Sequence, residues 1–122
     1  MAQFLPESAD LLAAIAKLLD EQVLAVVPSD LQHRVRVAAN LSRILEREAR
    51  LGPDAVRRER ELIEGVLDEA LSAERDPAAA LAERLRGGVD DALAARAWSA
   101  LVDITRADLA IAKPGHDVYE GV

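Results

Sequence analysis

Residues 31–51, LQHRVRVAANLSRILEREARL, place apolar side chains at helical spacing beside a polar row of Arg36, Asn40, Arg43 and Arg47. Steps of three and four residues bring side chains onto one face of an α-helix, whereas a strand repeats every two. The stretch predicts a helix, and the rest of the chain follows the same pattern. Apolar residues make up 51% of the sequence but aromatic ones only 2%, so a core must be built from Leu, Ile, Val and Ala. Ala, Leu, Glu and Arg are the best intrinsic helix formers, while sheets draw on β-branched and aromatic residues. The predicted fold class is all-α, with residues 1–122 forming a single helical domain.

Punctuation divides the chain into helices. A first helix is expected over 8–27, N-capped by Ser8 and stopped by Pro28, with Leu12, Ile15, Leu19, Val23 and Val26 as its stripe. A second, capped by Ser29 or Asp30, would bury Val37, Ala38, Leu41, Ile44 and Leu45 and stop at Gly52 and Pro53. A third would open at Pro53 and Asp54 and turn Val56, Ile63, Val66, Leu67 and Ala70 inward, leaving the charged run at 57–61 in water. Within and beyond that run, Arg57 with Glu61 and Arg60 with Glu64 have the spacing of helical ion pairs.

Asp76 and Pro77 are an N-cap and first-turn pair for a short helix ending at Gly87 and Gly88, anchored by Leu81 and Leu85. Asp90 or Asp91 would cap a last helix reaching about Ala112, with Leu93, Ala97, Leu101, Ile104 and Ile111 at its core and Trp98 on its flank. Pro114 and Gly115 end it, and Tyr119 in the tail is placed to fold back over the helices. Four long helices and one short one, joined by short connections, predict an antiparallel helical bundle.

Charge and composition narrow the function classes. A net charge of −7 argues against a nucleic-acid partner, because affinity for a phosphate backbone comes from clustered Lys and Arg. The sequence has no cysteine, which excludes disulfides, thiolate metal sites and thiol nucleophiles. No basic segment followed by an apolar run opens the chain, and no apolar run approaches the roughly 20 residues that span a bilayer. No membrane association is expected, and the expected location is the cytoplasm. The many arginines and alanines suit a GC-rich bacterial genome.

No complete catalytic or metal motif is present. Two histidines, His33 and His116, without cysteines do not make a structural zinc site, and the Glu-x-x-His signature of carboxylate-bridged di-iron bundles is missing. The serines stand in no nucleophile motif, and Gly87-Gly88 is a helix break and not a phosphate cradle. Neither a catalytic residue, a cofactor nor a metal is therefore expected. The candidate binding residues are His33, Arg36, Asn40, Arg43 and Trp98. Guanidinium forks with an amide on one helical strip can hold a carboxylate or a phosphate, or pair with acids of a neighbouring helix. Asn40 is a poor helix-interior residue and sits beside the apolar stripe. Trp98, beside Leu101 and Val102, either packs in the core or anchors a partner.

The string RVAANLSRILERE at 36–48, followed by Leu51 and Gly52, with the opening ADLLAAIAKLLDEQVL and the closing DLAIAKPGHDVY, resembles an uncharacterised bacterial all-helical family, a domain of unknown function. The resemblance covers nearly the whole chain and is most specific at 36–40. It implies a gene neighbourhood of aminoglycoside-phosphotransferase-like small-molecule kinases and acyl-CoA dehydrogenases, and no established activity. The expectation is a non-catalytic accessory or partner-binding protein linked to such a kinase or to acyl-CoA metabolism. A homodimer is also expected, because an Ala- and Leu-rich bundle with few aromatics leaves apolar surface for a second copy to cover. The competing expectation is a small-ligand module that binds a carboxylate, phosphate or coenzyme A group through Arg36, Asn40 and Arg43.

Overall fold

The computed structural model describes residues 6–115; Tyr119 and His116 lie outside them. Every regular element among the described residues is helical. The first helix, α1, runs over Ser8–Leu18, passes through a π-helical turn at Leu19–Val23 and ends with Leu24–Val26. Glu7, and not Ser8, takes the N-cap position, and it makes no side-chain capping bond. Val27 is extended, with φ −82° and ψ 153°, as a residue before proline is forced to be. The wide π turn rotates whatever follows it relative to a regular helix. Val26, expected inside, is accordingly 80% exposed.

The second helix, α2, covers Ser29–Leu67 without interruption and contains Pro53. The two long helices expected on either side of Gly52 and Pro53 are therefore one, and the described residues hold four helices in place of four long and one short. Proline removes an N–H from the ladder and crowds the carbonyl four residues back, here that of Ala49, at a cost of about 3 kcal/mol in a helix interior. The helix nevertheless passes through because the residue before it is glycine. Part of the clash that drives a pre-proline residue out of helical geometry falls on its Cβ, which Gly52 does not have.

Helix α2 stops at Leu67, short of the expected Ala70. Asp68 turns left-handed at φ 55°, and the Glu69 N–H reaches back to the Glu64 carbonyl at 3.3 Å, the closing bond of a Schellman cap. Helix α3 covers Pro77–Arg86, with the Asp76 carboxylate accepting from the Ala79 N–H at 3.2 Å and Pro77 in the first turn. Helix α4 covers Asp91–Ala112, and Asp90 caps it by accepting from the Leu93 N–H at 2.7 Å. Both starts follow the sequence expectation.

The described residues divide into two compact units at the Gly52–Pro53 step, one holding residues 6–52 with Ile111–Pro114 and the other Pro53–Ala110 with Gly115. The second unit has a conventional core. Ile63 and Val66 of α2, Leu81 of α3, and Leu93, Ala97 and Ala100 of α4 are buried together, with Leu62, Leu67, Leu71, Leu85 and Ile104 packed against them. The loop after α2 is tied down by side chains of that helix. Arg60 donates to the Ser72 carbonyl at 3.0 Å and the Arg75 carbonyl at 2.9 Å, and Glu64 accepts from the Leu71 N–H at 2.7 Å. Arg60 and Glu64 thus serve the loop and not each other, and Arg57 pairs with Asp54 in place of Glu61. Val56, expected inside, is exposed.

The first unit is built differently. Here α1 and the first part of α2 fold back on each other, tied by ion pairs from Arg43 to Asp20 and from Arg50 to Asp10. The fully buried residues are alanines: Ala9 and Ala16 on α1 and Ala39 on α2. Ala39, Arg43, Glu46 and Arg50 follow four-three-four spacing, so the face of α2 that meets α1 is alanine flanked by charge. Leu41, expected at the centre of the core, lies on the far side and is 53% exposed; Ile44 is half-buried.

An uninterrupted α2 makes a specific prediction. Pro53→Ala restores a backbone donor inside a helix and should stabilise the chain by about 1–3 kcal/mol in chemical denaturation. If α2 instead began anew at Pro53, the proline would sit at a favourable first-turn position, and the substitution would be neutral or destabilising.

Candidate functional site

The structure separates the four members of the α2 polar row. Arg43 forms an ion pair with Asp20 of α1. Arg47 donates from Nε to the Ile111 carbonyl at 2.7 Å, within the last turn of α4, where carbonyls have no partner in their own helix and the helix dipole favours a cation. Arg36 and Asn40 are exposed, and neither makes a side-chain hydrogen bond among the described residues. Arg47 is therefore the arginine of this row that reaches the last turn of α4. His33 is exposed on the first turns of α2, and no group of three or more His, Cys, Asp or Glu residues among the described ones is arranged to hold a metal.

Arg50 extends the charged edge of the first unit. It bridges Asp10 at 3.1 Å and Glu46 at 3.1 Å, and its hydrogen bonds to these two carboxylates raise the guanidinium pKa above its ordinary value. It stays protonated throughout any accessible pH range.

The second unit supplies concave surface on both flanks of α4. On one flank a cleft of about 400 Å³ is floored by Val66 and Ala100 and rimmed by Arg96, Ser99 and Asp103. Gly65 borders it, and a β-carbon there would meet nothing within 4 Å. On the other flank, α2, α3 and α4 enclose an apolar cleft of about 200 Å³ whose wall includes Leu81, Leu85, Leu101 and Ile104, with Glu59 as its charged member. Trp98 stands one helical turn before Leu101 on that same flank. Its side chain is 72% exposed and that of Leu101 41%, so Trp98 does not fill the core.

Neither Arg36 nor Asn40 lines these two clefts. The three-four spacing of Arg96, Ser99 and Asp103 puts them on one helix face, a row readable in the sequence. What no sequence pattern could show is that Gly65 leaves room opposite it.

The described residues define an all-helical protein, and no helix among them is long and apolar enough to cross a membrane. Residues 25–116 match DUF6285, a domain of unknown function, and the chain belongs to that family. No curated protein and no solved structure matches it.

The division of the arginine row can be tested by stability. Arg47→Ala leaves the Ile111 carbonyl without its donor and should cost about 1–2 kcal/mol, whereas Arg36→Ala should stay within about 0.5 kcal/mol. Equal losses in thermal or urea unfolding would contradict the assignment.

Proposed function

We propose that this chain is a non-catalytic accessory protein that binds a partner protein through the Trp98 flank of α4. The observation that carries this reading is the exposure of Trp98, 72% open to solvent one helical turn before Leu101, which itself lines an apolar cleft. Burying a tryptophan is worth several times what a smaller side chain contributes, and tryptophan is among the residues on which binding energy concentrates. A large aromatic held in water by a helix that has apolar room beside it is a surface prepared for contact. The partner class proposed is a small-molecule kinase or an acyl-CoA dehydrogenase, as the family resemblance implies. The anionic-ligand alternative is less well supported, since Arg43 and Arg47 are engaged within the chain and Arg36 and Asn40 border neither cleft.

Affinity capture from a native host, followed by titration of the recovered enzyme, tests this. Trp98→Ala should leave unfolding within about 0.5 kcal/mol, being a surface change, and weaken partner binding by about 30-fold or more, the loss expected at an interface anchor. Capture of neither enzyme class, or binding that Trp98→Ala leaves unchanged, would contradict the proposal. A thermal shift with acyl-CoA or a sugar phosphate that Arg36→Ala abolishes would favour the ligand reading instead.

A further inference from the structure

The far side of α2 in the first unit carries an ordered pattern that the Trp98 surface does not use. Arg34, Val37, Leu41, Ile44, Glu48 and Leu51 follow three-four-three-four-three spacing, the a and d positions of a coiled-coil seam. Val37, Leu41, Leu45 and Leu51 are all more than a third exposed, on the side of the helix away from Ala39 and α1. About five turns of regular helix thus present a seam whose leucines stay about half-exposed among the described residues.

The charges on the seam identify what covers it. Arg34 and Glu48 lie seven residues before and after Leu41, and Val37 and Leu45 four before and after. Arg34, Val37, Leu41, Leu45 and Glu48 are therefore chemically self-complementary about Leu41: apolar matches apolar, and the cation at one end matches the anion at the other. Both charged side chains are exposed, and neither has an ion pair within the chain among the described residues. Two copies laid antiparallel, related by a twofold axis at Leu41, would set Leu41 on Leu41, Val37 on Leu45, and Arg34 on Glu48 at both ends. A parallel pairing would bring Arg34 against Arg34 and Glu48 against Glu48, which like-charge repulsion disfavours.

We propose that a second copy of this chain covers the α2 seam, forming an antiparallel homodimer about a twofold axis at Leu41. The contact is isologous, so it closes at two copies and does not propagate. It lies on residues other than those of the Trp98 surface, so the two proposals fail independently.

Sedimentation and disulfide trapping test it on the full chain. At tens of micromolar, sedimentation should report twice the 13.2 kDa chain mass. Arg34→Glu or Glu48→Arg alone should weaken the dimer by about tenfold or more through like-charge opposition, and the two together should restore it. The chain has no cysteine, so single introduced thiols report cleanly. Leu41→Cys, on the axis, should cross-link to itself on mild oxidation, and Val37→Cys should do so only when mixed with Leu45→Cys. A monomer at these concentrations, charge reversals without effect, or self-cross-linking of Val37→Cys and Leu45→Cys as in a parallel pair would each overturn the proposal.

Discussion

Among the described residues, the first unit buries only alanine, at 9, 16 and 39, and the size of the side chains at a helix contact sets how near two axes can lie. The larger apolar side chains at Leu11, Ile15, Leu18, Leu41 and Leu45 stay about half-exposed. An alanine methyl contributes only about 0.8 kcal/mol on burial, so the hairpin gains little from its own interior. The ion pairs Asp20–Arg43 and Asp10–Arg50 flank that contact and fix which faces meet. Solvent-screened pairs of this kind add little strength. Their role is register more than strength.

The second unit shows the opposite economy. Ile63 and Leu93 are its largest fully buried side chains, and they close a core to which three helices contribute. Helix α2 therefore has two characters along one length: charged and alanine-lined where it meets α1, aliphatic where α3 and α4 cover it. The Gly52–Pro53 step lies at the change. Surface left over in each unit supplies the two contact proposals, an aromatic anchor on α4 and a self-complementary seam on α2.

Much of this was legible in the sequence. The stop at Pro28, the starts at Asp76–Pro77 and Asp90, and the inward set Ile63, Val66, Leu81, Leu93 and Ala97 were all readable from capping chemistry and periodicity, because both act over a few residues. The Gly-Pro pair was misread as a stop because the same glycine that ends helices also relieves the pre-proline clash. Leu41 was misplaced for a different reason. Residues 35–51 carry a small-residue face and a large-residue face, and periodicity finds both without saying which one turns inward. Trp98 was read as the flank of a core stripe for the same reason. The Arg47 contact to Ile111 spans 64 residues of chain, and nothing local announces it.

The first unit turns on the burial of a small side chain at position 39 of α2, and Ala39→Leu measures it. Hydrophobicity and helix propensity alone predict that leucine at 39 is neutral or favourable. Ala39 is 0% exposed, so a larger side chain has to displace the atoms packed around it, and chemical denaturation should show a loss of about 1–3 kcal/mol. Unchanged or increased stability in Ala39→Leu would mean that the buried face of α2 has room for leucine, and the exposed leucines would then need another explanation.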